Sequence, residues 1–203
     1  MRSAISLLAI LFPSFVGMQA AEEKAADKAE EGFVSLFDGK TLDGWHLMNG
    51  AKFVVEDGVI KHSEGQGWLR SDKEYADFIV RLEFRFMKPT RQDGGVFLRA
   101  VKEGSNWPDR KYEVQVENTR RMAMVFGAKH DLNVELAQKV LKPAGEWNEY
   151  DIKIAGSRIE VRLNGELVTT SDSADQLKRG YVGLQGEDGL HEYRNIRIKD
   201  LSK

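Results

Sequence analysis

Cysteine is absent from the 203-residue chain, and histidine is scarce, with four residues. The first absence excludes disulfides, thiolate metal sites, a cysteine nucleophile and a lipidated N-terminal cysteine. The histidines show neither HxH nor HExxH spacing, so they do not indicate zinc, which normally takes three or four converging ligands. No cofactor is certain from the sequence. The alternative is a calcium- or manganese-like divalent cation held by carboxylate and carbonyl oxygens.

A strong excess of charge is also absent, since the formal net charge is −2. Nothing global therefore attracts nucleic acid or an anionic membrane. Two short basic pairs, at residues 110–111 and 120–121, are better explained as solvated strand ends than as phosphate contacts, because nucleic-acid footprints are larger patches. The sequence predicts no nucleic-acid partner.

Long apolar runs are absent after the N-terminus. The first 21 residues combine Arg2, an apolar run over residues 5–16 and small residues at 20 and 21. This order is typical of a secretory signal peptide, because the run is too short to span a bilayer; a retained anchor is the alternative. Residues 22–31 form a charged spacer rich in Ala, Glu and Lys. We therefore expect export to the periplasm or the extracellular space, no membrane association after cleavage, and one domain over residues 32–203.

From residue 32 onward, apolar and polar residues alternate in short runs separated by turn residues. The run over residues 77–87 is the longest, and residues 52–63 predict a hairpin that turns at Asp57-Gly58. Residues 149–168 predict three successive antiparallel strands. About eleven such runs without βαβ units predict an all-β sandwich of two antiparallel sheets. Helix signals are confined to residues 131–141 and to a short turn at 173–180.

The stretch YEVQVEN, residues 112–118, places Glu113, Gln115 and Glu117 on one face of a strand and its valines on the other. If the valines face the core, the polar face is the exterior of a sheet. Because a large sheet coils as it twists, this exterior can form a trough. A trough lined by carboxylates and amides suits a ligand rich in hydroxyl groups.

Other candidate residues are expected to join this trough. If the strands over residues 78–86 and 94–100 are its neighbours, Glu83 and Arg99 face the same side. Trp107, in the loop before the strand, would stack on a sugar ring, with packing in the loop as the alternative. His191, in a closing strand, would reach the trough, and an ordinary hydrogen-bonded histidine is the alternative.

Eight blocks of the chain resemble the 3-keto-disaccharide hydrolase domain family. They cover nearly all of the body, and their order and spacing make the resemblance specific. The blocks are GFVSLFDGKTLDGWH (32–46), EDGVI (56–60), GWLRSDKEYADFIVRLEFR (67–85), GGVFLRA (94–100), YEVQV (112–116), PAGEWNEYDIKI (143–154), LNGELV (163–168) and GYVGLQGEDGLHEYRNIRIKDL (180–201).

The resemblance implies a concanavalin A-like jelly roll of the lectin/glucanase type. It also implies cleavage of glycosides whose sugar is oxidised at carbon 3, in an exported protein. Many members carry a histidine after the Leu-Gln of the last block. Here this stretch is Gly186-Glu187-Asp188-Gly189, so Glu187 is the nearest candidate.

A ketone at carbon 3 acidifies the hydrogen at carbon 2, so cleavage needs a general base and a group that stabilises the enolate oxygen. The expected base is Glu113, and the expected stabiliser is Arg99 or a bound cation. Gln115 would orient hydroxyl groups of a saccharide or 3-keto-glycoside. Glu83 and Glu187 are further candidates, as partners of the base or as cation ligands.

Two other functions remain as alternatives. A conventional glycosidase needs two carboxyl groups at most about 9.5 Å apart, whereas the backbones of Glu113 and Glu117 would lie about 13 Å apart on a regular strand. EVQVE is similar to the Glu-x-Asp-x-Glu strand of jelly-roll glucanases, but Gln115 replaces the central aspartate. The second alternative is a carbohydrate-binding module without catalysis.

Overall fold

The computed structural model describes residues 32–187 and 191–202. The predicted signal peptide and charged spacer lie outside the described residues. In the described part of the chain, no helix has the length and apolar character needed to cross a membrane.

Short strands and one helix follow one another along the described chain. The strands are β1 (Val34–Ser35), β2 (Trp45–Met48), β3 (Lys52–Glu56), β4 (Val59–Glu64), β5 (Gly67–Tyr75), β6 (Phe78–Phe86), β7 (Asp93–Ala100), β8 (Tyr112–Glu117), β9 (Val125–Phe126), β10 (Asp131–Leu132), β11 (Asn148–Ala155), β12 (Arg158–Leu163), β13 (Glu166–Ser171), β14 (Gly180–Gly186) and β15 (His191–Asp200), and the helix is α1 (Val134–Val140).

The strands form two antiparallel sheets. Sheet A has the order β10-β13-β12-β11-β6-β15-β4-β3, with β1 also paired to β15, and sheet B has the order β2-β5-β14-β7-β8-β9. The predicted jelly-roll β-sandwich of the concanavalin A-like type is confirmed.

The alternation of apolar and polar residues determines which face of each strand packs in the core. In β6, Val80, Leu82 and Phe84 are fully buried, and the residues between them are partly exposed. Val114 and Val116 of β8 belong to the same core. Burying each such side chain contributes about 1.5–3 kcal/mol, and a one-residue slip of either strand would expose the whole set.

The turns follow the residues that can adopt positive φ. Asp57 (φ 52°) and Gly58 (φ 77°) connect β3 to β4, and Asn164 (φ 51°) and Gly165 (φ 89°) connect β12 to β13. These are the Asp-Gly and Asn-Gly pairs that two-residue hairpins prefer. The predicted hairpin at residues 52–63 is confirmed, and so are the three successive strands β11, β12 and β13.

The two helix predictions have different outcomes. Helix α1 forms within residues 131–141, where Asn133 accepts a hydrogen bond from the backbone N–H of Leu136 (3.0 Å) and so caps the N-terminus. The predicted helical turn at residues 173–180 is wrong. The backbone N–H groups of Gln176 and Leu177 instead donate to the Tyr112 hydroxyl, at 2.9 and 3.0 Å.

The neighbours of the longest strand also differ from the expectation. β6 pairs with β11 and β15 in sheet A, whereas β7 and β8 lie in sheet B. Glu83 is therefore on the outer face of the opposite sheet, where it accepts hydrogen bonds from Arg194 (2.7 Å) and Asn195 (2.6 Å). Its expected place beside Glu113 is wrong, because alternation within a strand does not determine which strand pairs with it.

Arg99 lies at an irregularity in β7. Phe97 pairs with Gly183 and Ala100 with Tyr181, so β7 has one more residue than β14 over this interval. Arg99 takes a φ of 48° there. This bulge interrupts the alternation, because an extra residue bends the strand and redirects the following side chains.

The redirected Arg99 side chain connects three segments of the fold. It is 1% exposed, and its guanidinium donates to the carbonyls of Ala76 (2.6 Å), Gly156 (2.8 Å) and Leu177 (2.8 Å) and to the Asp77 carboxylate (2.7 Å). Every one of these contacts is to the protein itself. The expected role of Arg99 as an enolate stabiliser therefore conflicts with its contacts, which are structural.

We predict that Arg99→Met destabilises the protein by about 3–5 kcal/mol, because three backbone carbonyls lose their donor, each at a cost of about 1–3 kcal/mol, and the half-exposed Asp77 loses its ion-pair partner. Urea unfolding measures the change. Arg158→Ala is the matched control, since Arg158 is 47% exposed and bonds Glu160 and Asp172 at the surface; its cost should be below about 1 kcal/mol. Equal losses in the two variants would contradict the structural role of Arg99.

Candidate functional site

The outer face of sheet B carries the polar side chains of β8. Glu113, Gln115 and Glu117 are 7%, 2% and 2% exposed, although they point away from the core that holds the valines of the same strand. Segment 119–126 pairs with the edge of this strand, since the backbone of Gln115 bonds to Met124 (2.9 Å) and Ala123 (3.1 Å). The polar face of β8 is therefore a largely desolvated wall.

Glu113 is the carboxyl group most perturbed by this environment. Burial raises the pKa of Glu113 to about 7, while Lys111 opposes the increase and Asp93 and Glu187 add to it. Lys111 Nζ lies 3.6 Å from Glu113 Oε2. A carboxyl group with a pKa near neutrality can take up and release a proton at physiological pH.

Two glycines leave the room that the side chains of this wall occupy. A Cβ on Gly95 would lie 2.7 Å from Glu113 Oε1 and 3.0 Å from Gln185 Oε1, so only glycine leaves these side chains in place. A Cβ on Gly183 would lie 2.4 Å from the ring of Trp68. The strand order β5-β14-β7-β8 brings these groups from four strands to one face.

A network of ion pairs holds the far end of β8. Arg91 bonds Asp93 and also Glu117 Oε1 (3.1 Å), and Arg121 bonds Glu117 Oε2 (3.2 Å). Gln115 Nε2 donates to Asp93 and to Glu117 Oε2 (3.1 Å). Burial, with a contribution from Glu117, raises the pKa of Asp93, and Arg91 opposes this. The charge of Glu117 is therefore balanced by two arginines, unlike that of Glu113.

Gln185 and Glu187 form the next side of the site. Gln185 Nε2 donates to Glu187 Oε2 at 2.7 Å. The Gln185 side-chain oxygen is buried and accepts no hydrogen bond from the residues that the structure describes. Since buried polar atoms normally have partners, this oxygen marks a position where a ligand hydroxyl can donate.

An aromatic cluster adjoins the polar wall. Trp68 and Phe97 are fully buried, with ring centroids 5.7 Å apart, and Trp107 packs against them. The loop of Trp107 is fixed by Asn106, which bonds Gln66 (3.0 Å) and Asn49 (3.2 Å). Trp107 is therefore a packed residue at the edge of the site, with its indole nitrogen buried and unpaired within the described chain.

His191 does not reach this face. It is 1% exposed between the sheets, where its ring packs near Phe86 (5.6 Å) and Tyr193 (6.3 Å). A Cβ on Gly94 would lie 3.3 Å from His191 Cε1, so His191 is behind β7 and not in front of it. Burial, with a smaller effect of His62, lowers the pKa of His191 to about 4. Its expected contact with substrate is wrong, because it points inward from β15.

The structure thus brings Glu113, Gln115, Trp107 and Glu187 to one face and leaves out Arg99, Glu83 and His191. Other contributing residues were missed from the sequence: Lys111, Asp93 and Gln185. Lys111 was detectable, since it precedes Glu113 by two residues and so shares its face. Asp93 and Gln185 depend on strand pairing, which no local pattern reveals.

The described residues contain no group of three or more His, Asp or Glu side chains that could hold a metal ion. The site as described does not fit a metal centre, and the divalent cation remains a prediction from the sequence.

Several solved structures share this fold. Two candidate glycosyl hydrolases from Parabacteroides distasonis match with TM-scores of 0.71 and 0.67; they are 20% and 25% identical and cover 89% and 83% of this chain and 97% and 99% of their own. The carbohydrate-binding module CBM66 from Bacillus subtilis matches with a TM-score of 0.57 at 16% identity, over 77% of this chain and 96% of its own. The curated proteins gave no significant match.

The family comparison covers most of the body. The model of the 3-keto-alpha-glucoside-1,2-lyase-like domain matches residues 32–199, which include every strand of the polar wall. Together with the structural matches, this indicates a glycosyl-hydrolase-like or carbohydrate-binding jelly roll. The chain belongs to the 3-keto-alpha-glucoside-1,2-lyase-like domain family.

Proposed function

We propose that the protein cleaves glycosidic bonds of 3-keto-glycosides with Glu113 as the general base. The observation that carries this proposal is the buried Glu113 carboxyl, whose pKa is about 7 and which lies on the outer face of sheet B with Lys111 as its one cationic neighbour among the described residues. The family description supports the same chemistry. Export, predicted from the first 21 residues, would bring the enzyme to saccharides outside the cytoplasm.

The reaction begins at carbon 2 of the oxidised sugar. The Glu113 carboxylate removes the proton from carbon 2, and the electron pair delocalises onto the oxygen at carbon 3. The C1–O bond then breaks, a double bond forms between carbons 1 and 2, and the carbonyl at carbon 3 is restored. The leaving alkoxide takes the proton that Glu113 has removed. Addition of a water hydroxyl to carbon 1 and of its proton to carbon 2 completes a hydrolysis, whereas release of the unsaturated sugar completes a lyase reaction.

Lys111 takes the electrostatic role that the sequence assigned to Arg99. Its ammonium group lies near Glu113 and 5.1 Å from the Phe97 ring centroid, on the same face as the base. A cation here stabilises the enolate oxygen, which carries charge only after proton removal, and such stabilisation is often the largest contribution to catalysis. The sugar hydroxyls are oriented by Gln115, Gln185 and Glu187, and Trp107 lies beside the sugar ring.

A conventional glycosidase is less well supported. That mechanism needs a second carboxyl group free to act as acid or nucleophile. Glu117 is bound by Arg91, Arg121 and the Thr119 hydroxyl (2.8 Å). This network holds it as a structural anion.

A sugar-binding module without catalysis is the second candidate. The partly exposed ring of Trp107, packed on Trp68 and Phe97 beside the polar groups, favours it, because sugars are bound by rings and hydrogen-bonding groups together. Such a module binds the unoxidised saccharide and releases no product. The enzyme releases the leaving group from the keto sugar alone.

We predict that Glu113→Gln lowers kcat/KM for 3-keto-maltose by about 10²–10⁴, the usual contribution of a general base. Release of glucose is followed for 3-keto-maltose and for unoxidised maltose, with and without a chelator. Glu83→Gln is the control, because Glu83 lies on sheet A; its activity should be unchanged. Full activity of Glu113→Gln would remove Glu113 from the mechanism.

The same variant should change stability with a defined sign. The folded-state pKa of Glu113 lies above the ordinary value of 4.5, so its contribution to stability is present below pH 4.5 and is lost as pH rises through about 7. Since one pKa unit corresponds to about 1.4 kcal/mol, Glu113→Gln should gain at most about 3 kcal/mol on wild type between pH 4 and pH 8. Urea unfolding at both pH values measures this gain, and a constant difference would contradict it.

The pH dependence of turnover tests the pairing with Lys111. We predict that kcat/KM rises with pH through about 7, as Glu113 loses its proton. Lys111→Met should move this midpoint to higher pH and lower the plateau, because Lys111 opposes the increase in the Glu113 pKa. Lys153→Ala, on sheet A, should leave the profile unchanged. An unshifted midpoint in Lys111→Met would show that the two groups do not interact.

A further inference from the structure

A groove runs along the β9 edge of sheet B. Its first part is a cavity of about 270 Å³ lined by residues 109–112, 126–127 and 176–177. Its second part is a cavity of about 430 Å³ lined by residues 127–129, 173 and 175–176. The two parts share Gly127 and Gln176 and are therefore continuous. The second part falls in the size range of small-ligand sites, and the first part adjoins it.

The groove begins at the proposed base. Lys111 lines its first part, and its ammonium group lies 3.6 Å from Glu113 Oε2. Phe126 lines the same part and is the direct cross-strand partner of Glu113 in the pairing of β8 with β9. A molecule that fills the groove therefore contacts Lys111, the cation beside Glu113.

The wall formed by residues 174–177 is held rigidly. The Tyr112 hydroxyl accepts hydrogen bonds from the backbone N–H groups of Gln176 and Leu177. Arg99 donates to the carbonyl of Leu177 at 2.8 Å. The groove is thus preformed, and binding in it does not need the wall to become ordered.

The lining of the groove is polar and free to bind. In residues 32–187 and 191–202, the side chains of Asp109, Arg110, Lys129, Asp175 and Gln176 make no hydrogen bond or ion pair. This differs from the outer face of sheet A, where the basic side chains Arg85 and Arg194 are paired with carboxylates. The groove therefore offers hydrogen-bond donors and acceptors as well as positive and negative charges.

The rings in the groove offer little for stacking. Tyr112 is 1% exposed, and its hydroxyl is already bonded, while Arg121 lies 5.4 Å from the Phe126 ring centroid. A flat aromatic molecule would therefore leave most of the polar side chains without partners, which is unfavourable. A molecule rich in hydroxyl groups would satisfy them.

We infer that this groove is the leaving-group subsite of the enzyme, and that Arg110 and Gln176 make it select a hydroxylated leaving group over an aromatic one. The inference rests on the proposed function, because the groove meets the site at Glu113 and Lys111. The keto sugar lies over the polar wall, its C1–O bond points toward the β9 edge, and the leaving group extends past Phe126.

The first test compares 3-keto-maltose, which loses glucose, with phenyl 3-keto-α-glucoside, which loses phenol. Arg110→Ala and Gln176→Ala should each lower the ratio of kcat/KM for the first substrate over the second about tenfold, the effect of one hydrogen bond. Lys153→Ala, on sheet A and outside the groove, should leave both values unchanged. An unchanged ratio in both groove variants would overturn the inference. Wild-type inactivity on both substrates would overturn the proposed function instead.

The second test does not depend on turnover. Glucose, the leaving group of maltose, is titrated into ¹⁵N-labelled protein, and the shifts of backbone amide signals are recorded. Saturable shifts at residues 109–111, 127–129 and 175–177, weakened in Gln176→Ala, support the subsite even if the enzyme is inactive. Shifts elsewhere only, or none at high glucose concentration, contradict it.

Discussion

The desolvation of one carboxyl group, Glu113, is the constraint on which the proposed site depends. A carboxylate on the outer face of a sheet would normally be hydrated and would keep its ordinary pKa. Here Glu113 is 7% exposed, although it lies on the outer face of sheet B. Its charge is only partly compensated by Lys111. Burial without full pairing is the arrangement that turns a glutamate into a base active near neutral pH.

The charged side chains on the outer faces of the two sheets differ in how completely they are paired. On sheet A, Arg81 bonds Asp151 at 2.5 Å, and Arg85 and Arg194 both stack on Trp147, at 4.6 and 4.0 Å. These pairs saturate the surface. On sheet B, the saturated network around Glu117 stops two residues short of Glu113. The site is therefore the place where pairing on this face is incomplete.

Much of this architecture follows from the sequence, because the alternation of side chains is a local property. The parity of Tyr112–Glu117 places Glu113 and Gln115 on one face whatever the neighbouring strands are. Turns at Asp57-Gly58 and Asn164-Gly165 are local in the same sense, since the residue types permit the positive φ values.

The features that the sequence did not reveal are nonlocal. A bulge in β7 against β14 turns the Arg99 side chain away from the face that alternation predicts. No residue type in GGVFLRA indicates this bulge. Glu83 has the expected parity, but β6 pairs within sheet A. The segment at residues 173–180 has a helical composition, yet Tyr112 and Arg99 bind its backbone groups in another conformation.

The distance between Glu113 and Lys111 has a direct chemical meaning. A close ion pair would lower the pKa of Glu113 and make it a weaker base, whereas the absence of any cation would leave it protonated at neutral pH. At 3.6 Å, the lysine lets the carboxyl ionise near pH 7 and still retain basicity. The same ammonium group lines the start of the β9 groove. In the proposed mechanism, this one side chain adjusts the base, faces the oxygen that becomes negative and lies where the leaving group departs.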